Sequence, residues 1–186
     1  MKEQKFANPS PLGLLGFGMT TVLLNLHNSS AIQLSVVIIA MGFALGGVAQ
    51  IIAGIMEFRN NNVFGATAFT AYGLFWWSLI FILCNPFGNA PADSTSMGFY
   101  LLLWCIFTLF MSIGTLKHNH ATKVVFFSLT ILFLLLALGE FTGTSAVTIA
   151  AGCVGIICGL SAVYTSVAQV VNNEHGKTVL PLGEKH

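Results

Sequence analysis

Six long apolar runs divide this chain, and they leave very little charge with which to build a surface in water. They cover residues 12–27, 32–56, 64–84, 97–116, 123–139 and 145–171. Only 7% of all residues are charged, whereas a soluble domain carries about 25%. The sequence therefore predicts an all-α integral membrane protein with six transmembrane helices in a single domain, residues 1–186.

The first run differs from the others, because it is short and rich in glycine and threonine. Residues 12–27 give about 24 Å of helix, which is less than the hydrocarbon core of about 30 Å. Pro9 and Pro11 precede it and suit a helix start. We expect this helix to lie in the interior of a helix bundle, as part of its lining, rather than to face lipid.

The basic residues predict how the chain crosses the membrane. When the loops are assigned alternately to two sides, all seven lysines and arginines fall on one side, and the other side receives Asp93 and Glu140. Because positive residues favour the cytoplasmic side, this partition predicts six spans with both termini in the cytoplasm. The basic residues are Lys2, Lys5, Arg59, Lys117, Lys123, Lys177 and Lys185.

Small residues four positions apart occur in the second and sixth runs, as Gly42 with Gly46 and as Gly155 with Gly159. Such spacing lets helix backbones approach closely in lipid. We predict oligomer contacts at these glycines, with packing inside one protomer as the alternative.

Neutral polar residues lie within the runs, and fixed charges do not. Glu57 and Glu140 stand at run ends, where a carboxylate reaches headgroup water, so we do not expect a buried carboxylate switch. Hydroxyls and amides suit a small hydrogen-bonding solute, although many Thr and Ser side chains bond back to their own helix. The substrate-pathway candidates of this kind are Thr20, Thr21, Asn25, Gln50 and Thr130.

The first, third and fifth runs each carry a Phe followed closely by Ser or Thr. Examples are Phe17 before Thr20 and the pair Phe69-Thr70. This pattern indicates a weak threefold repeat whose odd helices line one axis, and chance similarity among apolar helices is the alternative.

No catalytic motif, metal-ligand spacing or phosphate-binding loop is recognisable. The four cysteines lie in apolar runs without a CxxC pair, and the net charge of +1 is too small to favour nucleic acid. His27 ends the first run, where it caps the helix or senses pH. The sequence therefore predicts no enzyme, no metal, no cofactor and no nucleic-acid partner.

The segment Asn8-Pro9-Ser10-Pro11-Leu12-Gly13-Leu14 resembles the N-terminal signature of the acetate uptake transporter family, and the similarity continues along the whole chain. Ser10 stands where the bacterial members that it resembles have alanine, and the loop around 86–97 is shorter. Further matching stretches include Gly16–Thr21, Leu24–Asn28, Phe64–Gly73, Phe107–Met111, Phe126–Thr130 and Gly176–Pro181.

The resemblance implies a channel-like protomer in a prokaryotic cell membrane, assembled as a homo-hexamer, with one pathway in each protomer for acetate, succinate and similar carboxylates. It places a constriction at Phe17, Tyr72 and Leu129 and adds Ala162 to the pathway. Helical rise puts all three constriction residues about 8–12 Å from the cytoplasmic side, so they can form one ring.

Passage can be channel-like or coupled to protons, and the residues do not decide between these. With no Lys or Arg in the runs, an anion would meet hydroxyls, amides and helix N-termini. A pore for a neutral solute such as urea or ammonia fits an uncharged lining equally well, and a purely structural membrane protein is the third reading.

Overall fold

The computed structural model describes residues 7–86, 88 and 90–183, and these residues form six helices joined by short connections. No β-strand occurs in the described ranges. The helices are α1 (Ser10–Asn28), α2 (Val36–Arg59), α3 (Val63–Cys84), α4 (Ser94–Gly114), α5 (His120–Thr142) and α6 (Ser145–His175).

Each predicted run coincides with one of these helices, and the all-α fold class is confirmed. Helices α2 to α6 are long and apolar enough to cross a membrane. Helix α1 has 19 residues, about 28 Å, and is therefore longer than predicted. Helix α2 starts at residue 36 instead of 32, because Ser35 has extended backbone.

Three helices begin at a residue whose side chain accepts a hydrogen bond from the first turn. Asn62 caps α3, Asp93 caps α4 and Asn119 caps α5. The side-chain hydroxyl and then the backbone N–H of Ser96 lower the pKa of the Asp93 carboxyl. These caps satisfy N–H groups that have no partner within the helix.

Helix α2 is wound as a π-helix in its middle, over Gly42–Ala49. Its small residues face the aromatic side chains of α3. A β-carbon added at Gly46 would lie 2.7 Å from the Trp76 ring, and the indole N–H of Trp77 donates to the Phe43 carbonyl at 3.2 Å. The π winding thus coincides with close packing of α2 on α3.

Helices α1 and α6 touch through their backbones. A β-carbon added at Gly18 or at Gly159 would lie 2.7 Å from the backbone oxygen of the other residue. One turn away along α6, a β-carbon at Gly155 would overlap the side chain of Asn25. Close approach at small residues is how helices associate where lipid gives no hydrophobic gain.

The four glycines of the second and sixth runs all have close neighbours within the chain, and the predicted oligomer contacts at these positions stay a prediction. Gly42 packs on Ile80 and Gly46 on Trp76, while Gly155 and Gly159 pack on α1. All of these contacts lie within one chain, which is the packing that the alternative describes.

The bundle has two ends, which we call the terminal face and the distal face. The terminal face holds Ser10 and the connections after α2, α4 and α6, and it carries Arg59, Lys117, Lys123 and Lys177. The distal face holds the connections after α1, α3 and α5. Lys2, Lys5 and Lys185, which complete the predicted basic side, lie outside the described residues.

Residues 178–183 form a C-terminal tail that folds back over the terminal face. The Asn172 side chain accepts from the backbone N–H of Val179 at 2.7 Å and of Leu180 at 2.9 Å. Backbone N–H groups in the first turn of α5 donate to the carbonyls of Leu182 and Gly183, each at 3.1 Å. The tail therefore joins the end of α6 to the start of α5.

Replacing Gly159 by alanine is expected to destabilise the α1–α6 contact, because the new β-carbon meets the Gly18 carbonyl. Overpacking of this kind costs about 1–3 kcal/mol. The measurement is thermal unfolding in detergent, with Ala150→Leu as control, since Ala150 is an exposed position on the same helix. An unchanged midpoint for Gly159→Ala would contradict this description of the contact.

Candidate functional site

A cavity of about 400 Å³ opens toward the terminal face, and we call it the terminal cavity. Its walls come mainly from α1, α3 and α5, with one residue from α2 and one from α6. Its polar lining comprises Asn8, Ser10, Gln50, Asn62, Tyr72, His118, Asn119, Thr122 and Gln169, and its apolar lining includes Leu14, Phe17, Phe69, Phe126, Leu129 and Leu182.

A second cavity of about 300 Å³ lies toward the distal face, and we call it the distal cavity. The same three odd-numbered helices supply most of its wall. Its polar lining comprises Thr21, Asn25, His27, Asn28, Glu140 and Thr148 together with the indole of Trp76, and Phe17, Phe75, Leu129 and Phe133 are among its apolar residues.

Phe17 and Leu129 line both cavities, so they form the partition between them. Tyr72 lines the terminal cavity beside them, with its ring centroid 6.1 Å from that of Phe17. The three side chains are 6%, 2% and 3% exposed for Phe17, Leu129 and Tyr72. The structure thus brings the three residues of the predicted constriction to one level of the bundle.

The Tyr72 hydroxyl bonds to the Thr108 hydroxyl of α4 at 2.9 Å, and Thr108 in turn donates to the Trp104 carbonyl at 2.7 Å. Phe107 and Phe126 also pack on the Tyr72 ring, with centroids 5.6 and 6.2 Å away. Thr108 lines neither cavity. The hydrogen bond therefore fixes the Tyr72 hydroxyl through a residue of α4 that is not part of either cavity wall.

Three buried polar atoms in the cavity walls lack a hydrogen-bond partner. They are Oε1 of Gln50 in the terminal cavity, and Oγ1 of Thr21 and Nε1 of Trp76 in the distal cavity. A buried polar group without a partner costs free energy, so a solute that bonds to these groups would recover part of that cost. An indole N–H can only donate, which favours a solute that accepts hydrogen bonds.

The other predicted pathway residues divide into two groups. Asn25 lines the distal cavity, although its amide donates to the Thr21 carbonyl at 2.8 Å. Thr20 bonds to the Gly16 carbonyl at 2.7 Å, Thr130 bonds to Ser112 at 2.9 Å, and Ala162 is fully buried. The walls of the two cavities do not include these last three residues.

Glu57 corrects the expectation that both run-end carboxylates reach headgroup water. It is 2% exposed, because the N-terminus of α1 and the turn after α2 fold over it. Its carboxylate accepts from Ser10 Oγ at 2.5 Å and from Asn62 Nδ2 at 2.9 Å. The position of Glu57 at the end of an apolar run predicts contact with headgroup water. The only sequence signal for its burial is the pair of short polar residues at positions 10 and 62.

Other titratable groups stand at the openings of the cavities. His27 and Glu140 line the distal cavity, and His118 lines the terminal cavity. His27 Nδ1 lies 3.2 Å from the Ile32 carbonyl, which agrees with a capping role. No Lys or Arg among the described residues lines either cavity.

This arrangement of two cavities on either side of an aromatic partition can be compared with known proteins. The model of the GPR1/FUN34/yaaH family matches residues 1–183. The chain belongs to this family. That membership confirms the resemblance found in the sequence.

Similar members of the GPR1/FUN34/yaaH family include transporters. The succinate-acetate/proton symporter SatP of Escherichia coli K12 is 52% identical over 189 residues, covering 100% of both chains. Ammonia transport outward protein 2 of Saccharomyces cerevisiae is 39% identical over 180 residues, covering 92% of this chain and 64% of that protein.

A solved structure of this family, that of the bacterial acetate channel SatP, has the same fold. It superimposes with a TM-score of 0.94 at 52% identity, covering 96% of this chain and all of the other. The chain is therefore a multi-pass membrane protein with the architecture of a transport protein.

The anchoring of Tyr72 predicts a thermodynamic coupling with Thr108. Thr108→Val leaves the buried Tyr72 hydroxyl without a partner, which costs about 1–3 kcal/mol. Adding Tyr72→Phe should recover part of this loss, because both polar groups are then gone. Unfolding midpoints in detergent for the two single variants and the double variant measure the coupling; strictly additive shifts would show that the bond contributes nothing.

Proposed function

We propose that this protein passes small carboxylates such as acetate and succinate across the cell membrane of a prokaryote. The terminal face lies in the cytoplasm, since it carries the basic residues, and both termini are therefore cytoplasmic. The protomers form a homo-hexamer with a separate pathway in each. The residues act by binding and selection, without catalytic chemistry or a cofactor.

The observation that carries this proposal is the pair of cavities that meet at Phe17 and Leu129. Together they run from one face of the bundle toward the other, and a single layer of side chains separates them. A pathway interrupted by one narrow apolar level is an arrangement that excludes bulk ion flow by dewetting. Relatives named for acetate and succinate supply the solute class.

Neutral donors are the groups that replace the water of the carboxylate. Thr21, Asn25 and Trp76 line the distal cavity and Gln50 the terminal one. Hydroxyl, amide and indole hydrogens each contribute about 0.5–1.5 kcal/mol net. Several weak sites in series hold an anion long enough to guide it and still let it leave.

Ammonia or urea is the second candidate, because one yeast relative is named for ammonia transport. The walls without lysine or arginine do not oppose a neutral solute. The buried indole N–H of Trp76, which can only donate, instead favours a solute rich in acceptor atoms. Carboxylates have four acceptor positions and satisfy this better.

Uptake of radiolabelled acetate, urea and methylammonium into proteoliposomes separates these candidates. Protein-dependent acetate uptake, inhibited by succinate, is expected. Liposomes without protein give the background of passive permeation. Urea or methylammonium uptake without acetate uptake would overturn the carboxylate proposal, and the absence of any uptake by correctly inserted protein would favour a structural role.

Leu129→Ala is expected to widen the partition and to raise the flux of bulkier acids such as lactate relative to acetate. The change removes side-chain volume from the level shared by both cavities. Leu134→Ala is the matched control, since Leu134 lies on the same helix and is 42% exposed. Initial uptake rates of acetate, lactate and succinate are measured; identical selectivity in both variants would remove Leu129 from the constriction.

Gln50→Leu is expected to reduce acetate flux severalfold, up to about tenfold, because it removes one hydrogen-bonding group of the wall. Neutralising Lys117 and Lys123 together should reduce flux less, and mainly at low salt, since these charges only concentrate anions near the opening. Uptake is compared at low and high ionic strength with insertion quantified. Normal flux in Gln50→Leu beside a dead lysine variant would make a fixed cation the anion site.

A further inference from the structure

Glu57 is a buried ionisable residue to which the proposed pathway assigns no role. Among the described residues it is the only Asp, Glu, Lys, Arg or His whose side chain is buried. A carboxylate in such a place needs hydrogen bonds to remain ionised, and its two partners, Ser10 and Asn62, are both neutral. A buried ionisable group at the mouth of a membrane pathway calls for a functional explanation.

The hydrogen bonds determine which carboxylate oxygen can take a proton. Asn62 Oδ1 accepts from the Gly65 N–H at 3.1 Å, so its Nδ2 is the atom that donates to Oε2 of Glu57. A proton on Oε2 would therefore face another donor. The Ser10 hydroxyl can rotate and accept instead, so the proton belongs on Oε1.

Glu57 is also close to the space that the anion would occupy. Ser10, Asn62 and Gly65 all line the terminal cavity. A β-carbon added at Gly65 would lie 2.9 Å from the carboxyl carbon of Glu57. A single layer of atoms therefore separates this carboxylate from a carboxylate in the cavity.

We infer that Glu57 is a proton-binding site coupled to occupancy of the terminal cavity by a carboxylate, which rests on the proposed function. A proton from the terminal-side solution binds Oε1 of Glu57, and no covalent bond between heavy atoms changes. The new O–H donates to Ser10 Oγ, and the Ser10 hydrogen turns into the cavity. Protonation thus removes one negative charge and adds one donor for the anion.

The coupling is reciprocal. If protonation of Glu57 strengthens anion binding, anion binding strengthens the binding of the proton by the same factor. Two like charges across one layer of atoms repel each other, and either partner is then more stable when the other site is neutral or empty. One proton accompanies one carboxylate in this cavity.

The other titratable groups around this site are few. On its own helix Arg59 follows Glu57 by two residues and is exposed. Across the cavity, His118 packs against Phe64 with ring centroids 4.8 Å apart. Helix α1 and the turn after α2 present neutral Ser10 and Asn62, and α6 presents neutral Gln169. His118 is therefore the alternative proton acceptor that an experiment must separate.

Binding of radiolabelled acetate to the purified full-length protein, measured between about pH 5 and pH 8, tests the inference. The wild-type dissociation constant is expected to rise by up to about tenfold per pH unit over part of this range, as linkage to one proton requires. Glu57→Gln mimics the protonated acid and should vary less than about twofold, after the same correction for free acetic acid.

Three further variants serve as controls. Glu174→Gln changes an exposed carboxylate on the same face, and His118→Gln removes the histidine of the cavity; both should keep the wild-type pH dependence. Ser10→Ala should still depend on pH, unlike Glu57→Gln, but should bind acetate more weakly at low pH, by up to about tenfold, because one donor is missing.

A second readout follows protons directly. Acetate added at matched pH to weakly buffered wild-type protein should cause uptake of up to about one proton per site, and this should not occur in Glu57→Gln. Loss of the pH dependence in His118→Gln but not in Glu57→Gln would overturn the inference. So would the absence of proton uptake in the wild type, even if Glu57→Gln does not fold. A protein that binds no acetate at any pH would instead overturn the proposed function.

Discussion

The contact of α1 with α6 is the constraint on which the remaining structure depends. Helix α1 is the one of these six helices that is not apolar enough to be a candidate membrane span by itself, and such a helix needs a protein environment within a bilayer. Gly18 and Gly159 provide it, because their backbones touch where any side chain would hold the helices apart. Once α1 is enclosed, Thr21 and Asn25 line the distal cavity together with residues of α3 and α5. Both cavities depend on this placement, since α1 supplies part of the wall of each.

An apolar partition separates the two cavities, whose walls carry polar groups. The partition and the polar groups act differently on a solute. Phe17, Tyr72 and Leu129 meet at the level between the two cavities, and the bond from Tyr72 to Thr108 fixes one side of that level. Thr21, Gln50 and Trp76 leave hydrogen-bonding atoms unsatisfied on either side. An anion can accept hydrogen bonds from the Thr21 hydroxyl and the Trp76 indole, and no fixed cation in the cavity walls of the described residues traps it. Selection by fit and passage by weak binding are thereby compatible within one chain.

Much of this architecture was predictable because lipid limits the alternatives. Long uncharged runs can only be helices in a bilayer, and all six were found. The glycines illustrate the limit, because their spacing shows that something packs closely but not whether the neighbour is α1, α3 or a second protomer. The burial of Glu57 was also out of reach, since it depends on how the residues before α1 and the turn after α2 fold together. The π winding over Gly42–Ala49 leaves no recognisable sequence signal, and it coincides with close contacts to Trp76 and Trp77.

The C-terminal tail has a practical meaning for anyone who handles the protein. Its backbone carbonyls serve as acceptors for the first turn of α5, and the side chain of Leu182 forms part of the terminal cavity. A purification tag or fluorescent protein fused directly after residue 183 would therefore disturb the tail, which forms part of the wall of the terminal cavity. A flexible spacer between the tail and the fused protein would keep the fused protein away from the terminal cavity.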